Sequence, residues 1–466
     1  MTRGLRGERS GALLCAALSA LAPAGLVPAG LGAQAVRELT VEESVQRGLE
    51  HNARLRAARA DVEVARAGER QVGAARLPAL RSQASYGRLS NNIPGVEFSI
   101  PGYDSTFTFQ GVQLDRLQTE LSLELPLLAQ LRLGHEARAA GHDAAAVAIG
   151  LEQERSDVAF DIRRAYWNLH RAQEMRATVQ AALAGVEAHL QVVRERVQEG
   201  AALTRDLLAA QTRRSEVLLE QVEADNAVRV GQLELNRLVG LPLDEPVRLV
   251  SEPPAVPAPG VAPASQAAGA QPAEPGLVSS TVSDGRPRIA ALERQVLGLR
   301  ERLGAAGASR LPEVDFYARW LYAKPNPYFF MEQDRFNATW ELGLSGRWAI
   351  WEGGAGSARQ LEARSRLEAA EARLQDTAEQ VAVETARLRL EVRRAAEAVG
   401  VAEQNVEVAE ESFRVVGHQF EEGTALSSDV LDAEEALRRA RAGRADALSD
   451  HAIAEAALLN ALGRVW

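Results

Sequence analysis

Cysteine is all but missing, with Cys15 the only one in 466 residues. That excludes a disulfide framework and leaves no pair for thiol redox chemistry. Lysine is as scarce: Lys324 stands alone among 53 basic residues, and the arginines are dispersed among 63 acids. No basic stripe of the kind that holds nucleic acid forms, and no nucleic-acid partner is expected. Beyond the N-terminal region the chain has no apolar run of the roughly 18 to 20 residues a membrane helix requires. If it crosses a membrane, it does so as a barrel. The seven histidines lack metal-ligand spacing. His135 and His142 share a helix face without a cysteine or carboxylate cluster nearby and read as surface residues. Glu352-Gly353-Gly354-Ala355-Gly356 lacks the Gly-Lys-[Ser/Thr] ending of a phosphate loop and reads as a strand-to-helix junction. Neither a cofactor, nor a metal, nor a catalytic residue is expected.

The N-terminus carries Arg3, Arg6 and Arg9, then an uncharged stretch from Ser10 to Val36 that contains Ala33-Gln34-Ala35. Residues 1–35 read as a secretory signal peptide with a small-x-small cleavage site. Cys15 follows Leu13-Leu14 in the middle of that run, which does not fit a lipidation site. Removing residues 1–35 takes three arginines and one glutamate from a formal charge of -10, so the exported chain is more acidic still.

The chain is built twice. Residues 199–211 read EGAALTRDLLAAQ and residues 422–434 read EGTALSSDVLDAE, with seven of thirteen positions identical. Arg76-Leu77-Pro78 answers Arg310-Leu311-Pro312, and Leu238-Val239-Gly240 answers Ala461-Leu462-Gly463. Each copy must therefore be one structural unit packed on the other. The division is a first repeat over 36–250, a Pro/Ala-rich linker over 251–287 with little capacity to bury a core, and a second repeat over 288–466.

Within each repeat the pattern runs helix, strand pair, long helix, turn, returning helix. Residues 41–75 predict a helix. Proline is absent from 128–199 and from 356–421, so each predicts a helix roughly 100 Å long, too long for a compact domain. Returning helices are predicted over 205–240 and 428–463, giving helical hairpins over 128–240 and 355–463. Strand pairs are predicted over 79–126 and 312–351. From Phe336 to Ile350 an apolar, aromatic face alternates with a polar one; Val314–Tyr322 and Leu117–Leu125 do the same, and Leu80–Arg88 is a weaker partner. Sixteen of the 22 aromatics fall within 86–109 or 316–351. Alternation over about nine to eleven residues with aromatics near the ends fits strands between lipid and water, with Trp320, Trp340, Leu342 and Trp348 facing lipid. The connections Ser90–Ser105 and Ala323–Arg335 read as loops. Four strands cannot close a barrel, so several copies must share one wall.

The duplicated turn Gly-x-x-x-[Ser/Thr]-x-Asp-[Val/Leu] stands here as Gly200, Thr204, Asp206, Leu207 and as Gly423, Ser427, Asp429, Val430. At the ends of two long helices and beside paired strands, it resembles the TolC-like outer membrane efflux proteins over essentially all of 36–466. The resemblance implies a mainly α protein with a membrane β-barrel part: a homotrimer with twelve strands in outer-membrane lipid and a helical barrel in the periplasm. It implies a passive duct in a tripartite efflux or type I secretion system, whose partners are a periplasmic adaptor and an inner-membrane pump or ABC transporter.

Glycine at 200 and 423 suits a left-handed helix end, and Thr204 and Ser427 suit the N-caps of the returning helices. By resemblance, Gly200, Leu203, Thr204, Gly423, Leu426 and Ser427 form adaptor-docking turns. Asp429 and Asp432, with Asp206 at the equivalent place in the first turn, line a pore constriction. Some relatives carry a basic residue inside the second turn, where this chain has Ala425. The competing class is a soluble periplasmic coiled-coil adaptor or scaffold, which would carry its helical hairpin once and lack two membrane-length strand pairs.

Overall fold

The computed structural model describes residues 37–92, 96–99, 101–102, 106–109, 112–254, 286–329 and 333–465. The expected signal peptide and residues 255–285 of the linker lie outside them. In chain order the elements are β1 (Arg37–Leu39), α1 (Val41–His51), α2 (Ala53–Ala74), β2 (Ala79–Arg88), β3 (Val96–Ser99), β4 (Thr106–Phe109), β5 (Asp115–Pro126), α3 (Gln130–Gln198), α4 (Thr204–Val239), β6 (Val247–Leu249), α5 (Pro287–Ala308), β7 (Glu313–Lys324), β8 (Asn337–Arg347), α6 (Ala355–Glu421) and α7 (Ser427–Ala461).

The main core sits at the waist, where α1, α3 and α4 meet. Val45, Leu55, Ile162, Tyr166 and Leu235 are fully buried there, and each large apolar side chain contributes roughly 1.5–3 kcal/mol on burial. Tyr166 also donates its hydroxyl to the Leu39 carbonyl (3.1 Å) and accepts from the Ser251 amide (3.0 Å). Those bonds anchor the short parallel pair β1–β6, which three-residue strands gave no sequence period to reveal. Thr40 starts α1 with a capping box to Glu43. The single helix expected over 41–75 breaks at Asn52, whose ψ of 131° is extended. The Asn52 side chain accepts from the Arg54 amide at 2.9 Å, and that local bond competes with helix continuation.

Two hairpins, α3–α4 and α6–α7, extend away from the waist, their seams lined largely with alanine and valine. At the other end one antiparallel sheet runs β2-β5-β7-β8 and draws strands from both repeats. Register puts Leu121 opposite Trp320 and Trp320 opposite Trp340, with Leu123, Ala318 and Leu342 in the next row. In these rows one face is thus apolar across β5, β7 and β8, and β2 extends it with Leu80 beside Leu123, while Ser82 lies beside Leu121. The other carries Glu120, Arg319, Glu341 and Tyr317; Arg319 Nε lies 2.8 Å from Glu120, and the Tyr317 hydroxyl donates to Glu341 at 2.8 Å.

The first connection, expected as a loop, contains the hairpin β3–β4, which pairs Val96 with Phe109. The second folds back on the polar face of the sheet, where Asn326 is buried and donates to the Asn337 carbonyl and to Thr339.

Candidate functional site

Both hairpin tips turn by the same device. After α3, Gly200 has φ +76°, Ala201 donates its amide to Arg196 O (2.8 Å) and Gly200 to Val197 O (3.1 Å). After α6, Gly423 has φ +77°, Thr424 donates to Gln419 O (2.8 Å) and Gly423 to Phe420 O (3.1 Å). These paired bonds satisfy the last carbonyls of each helix, and the left-handed residue between them must bear no Cβ for the turn to be unstrained.

The returning helices begin one residue earlier than the capping assignment expected. The cap positions are Leu203 and Leu426, both extended, and Thr204 and Ser427 are the first helical residues. Leucine has no oxygen to offer, so the carboxylates at the third helical position supply the cap instead. Asp206 Oδ2 accepts from the Leu203 amide at 3.3 Å and Asp429 Oδ2 from the Leu426 amide at 2.9 Å. Asp206 also lies 3.3 Å from Arg205 Nε, so its charge is partly compensated. Asp429 and Asp432 are both exposed on one side of α7, while Val430, Ala433 and Leu437 face the seam. Leu203 and Leu426 are themselves exposed, at 57% and 63%.

The tips are also joined across the repeats. His189 on α3 bonds the Ser427 hydroxyl at 2.8 Å, and its ring lies 5.1 Å from Phe420. Burial, with Arg196 nearby, pushes the His189 pKa down. The Arg196 guanidinium sits 4.2 Å over the Phe420 ring and donates to its carbonyl. Val193, Phe420 and Val430 form a small core under the turns, and Ala425 packs against it. A basic residue at 425 would therefore start from an apolar setting, and the polar links run through His189 and Arg196 instead. Sequence reasoning missed both. The only signal was their place on the seam side of α3, four residues from Gly185 and three from Val193 respectively.

On the sheet, Trp320, Trp340 and Leu342 share the apolar face at 41%, 74% and 60% exposure, as expected for that face. Trp348 does not belong to the strand: β8 ends at Arg347, and the indole Nε1 donates to Arg310 O at 3.3 Å. The alternation persists one residue past the last ladder bond, which periodicity cannot distinguish from strand. His135 is only partly at the surface, with 32% of its side chain exposed. It lies half-buried in the α3–α5 seam, its Nδ1 2.7 Å from Glu301, with burial against Gly304, where a Cβ would meet the imidazole. Among the described residues no group of three His, Cys, Asp or Glu side chains is arranged to hold a metal.

The family model for outer membrane efflux proteins matches residues 45–241 and 278–464. The chain belongs to that family: it is an outer-membrane efflux channel with a helical periplasmic part, in a family of channels rather than enzymes. Solved structures with the same fold include VceC of Vibrio cholerae, at 22% identity, TM-score 0.72, and 91% coverage of this chain and 96% of that one. CmeC of Campylobacter jejuni matches at 16% identity and TM-score 0.73, covering 91% and 85%. The open state of MtrE from Neisseria gonorrhoeae matches at 20% identity and TM-score 0.71, covering 91% and 89%. No curated protein sequence matches the chain.

Proposed function

We propose that three copies of this chain form one continuous duct, with a twelve-stranded barrel in outer-membrane lipid and a helical tube reaching across the periplasm. The observation that carries this reading is the four-stranded sheet. Its apolar face is exposed from Leu80 to Leu344, while both edge strands, β2 and β8, lack a second neighbour among the described residues. Open edges are not stable in lipid, so pairing β8 of one copy with β2 of the next resolves both problems at once. The helices support the same assembly. Leu208, Leu219 and Val230 are exposed at steps of eleven on α4, and Val401, Val408 and Val415 form a further exposed row on α6. An eleven-residue period keeps an apolar row nearly parallel to the helix axis, suited to long side-by-side packing in a tube.

In this reading the two hairpin tips dock a periplasmic adaptor through Gly200, Leu203, Thr204, Gly423, Leu426 and Ser427, and an inner-membrane pump or ABC transporter delivers cargo. Asp429 and Asp432 form a carboxylate ring at the narrow end, with Asp206 beside it. A soluble adaptor is disfavoured because it would leave the tryptophan-bearing sheet face in water. Reconstitution into planar bilayers tests the reading: stepwise ion conductance is expected, and recovery of the protein only in the soluble periplasmic fraction would refute it.

A further inference from the structure

Glu434 on α7 occupies a seam position between Val430 and Leu437 and is 6% exposed. Its Oε1 has no hydrogen-bond partner. The carboxyl group reaches α3 at Gly185, where a Cβ would lie 2.6 Å from Oε1, so the glycine creates the notch that admits it. Beside the notch is a cavity of about 380 Å³ between α3, α6 and α7, bordered by Thr178, Ala182, Phe413 and Arg441.

The charged and titratable groups around Glu434 are His189 on α3, Arg213 and Glu220 on α4, Glu410 on α6, and Glu435, Arg438 and Arg441 on α7. Each is already engaged. His189 bonds Ser427. Arg213 pairs with Glu435, and Arg438 with Glu435 (2.7 Å) and Glu220 (3.4 Å). Arg441 pairs with Glu410 at 2.8 Å. Glu435 takes the cations and Glu434 is left without one. An ionised carboxylate in that setting is costly, and a neutral one much less so.

We propose that Glu434 is a proton-operated catch between the two hairpins. With the proton on, the neutral carboxyl rests in the Gly185 notch and α7 stays seated on α3. With the proton released to solvent, the bare carboxylate draws water into the adjoining cavity and loosens the α3–α7 contact next to the tips. Burial, reinforced by the neighbouring Glu435 charge against the opposing field of Arg213, pushes the Glu434 pKa up to about 7. Catch and release therefore fall within the range an exported protein meets. The consequence for export rests on the duct reading; the local movement does not.

The test uses the full chain in detergent, with nitroxide labels at Ala188→Cys on α3 and Ala436→Cys on α7, both exposed positions. The inter-label distance is measured at about pH 5.5 and about pH 8.5, on either side of the titration. The expected result is a narrow distribution in acid that lengthens and broadens in base, and a distribution that stays narrow at both pH values in Glu434→Gln. Gly185→Ala, which fills the notch, should show the broad distribution even in acid, and it serves where the glutamine variant fails to fold. A distance independent of pH in the parent, or an unchanged pH response in Glu434→Gln, overturns the catch. Either result can be obtained with bilayer conductance intact, so the catch can fail while the duct reading stands.

Discussion

At the scale of single residues, carboxylates at the hairpin tips do different jobs according to their surroundings. Asp429 caps a helix and Asp432 stands in solvent one turn on. Replacing both with Asn keeps the shape and an acceptor for the Leu426 amide but removes the charge. Cation preference in planar bilayers should fall, while stability should change by no more than about 1 kcal/mol, the scale of a carboxylate at a helix N-terminus. Unchanged selectivity would return them to a purely helix-capping role. The adjacent pair Glu434 and Glu435 behaves oppositely. Hydrogen bonding to Arg438, with Arg213 close by, holds Glu435 down at about 2, whereas burial raises Glu434 to about 7. Glu435 thus adds stability that is present above the ordinary carboxylate value and lost as pH falls toward 2. Glu434 adds stability that is present below the ordinary value and lost as pH rises through 7. Hydrogen exchange across α7 should accordingly be slowest, after correction for intrinsic rates, in mild acid, and the alkaline loss should vanish in Glu434→Gln.

At the scale of elements, the turn after α6 and the strand β7–β8 pair each tolerate little change, for separate reasons. Gly423 sits at φ +77° with no neighbouring atom near a prospective Cβ. Gly423→Val therefore meets backbone strain rather than a clash, on the order of 1–2 kcal/mol for the left-handed region. Adaptor crosslinking and export should decrease while membrane insertion persists; full crosslinking would argue against docking at this turn. On the sheet, Leu342→Arg places a charge on the apolar face beside Ala318. A loss of roughly 2–4 kcal/mol is expected if that face meets the bilayer midplane, readable as a lower denaturant midpoint for the folded barrel in lipid vesicles. The matching change on the polar face, Ser345→Arg, should cost far less, and equal effects on both faces would contradict the lipid assignment.

At the scale of the whole molecule, one chain leaves too much unpaired to be the working unit. Val383, Leu390 and Val408 on α6 are exposed at 70%, 65% and 69%, and among the described residues the sheet has two open edges. Detergent-purified protein should run as a trimer that dissociates on heating. Light scattering that shows a stable monomer without denaturation would contradict the assembly. Leu219→Glu on α4 should weaken that trimer without unfolding the hairpin, since Leu219 is 62% exposed within one chain.

Much of this architecture was legible in the chain because its signals are periodic and repeated. Proline-free stretches announced α3 and α6, alternation announced β5, β7 and β8, and the duplicated Gly-x-x-x-[Ser/Thr]-x-Asp announced the two tips. Signals that depend on a single side chain did not show. Asn52 breaks a helix by a bond to its own backbone neighbour, Leu203 and Leu426 displace the expected caps, and Trp348 prolongs an alternation past the end of its strand. The tertiary structure alone decided which repeat supplies which neighbour in the sheet, that His189 meets Ser427, and that Glu434 faces a glycine on α3 instead of an arginine. Periodicity assigns each residue a face of its own element, but the partner across that face is chosen by packing between segments up to hundreds of residues apart, and no local pattern encodes that choice.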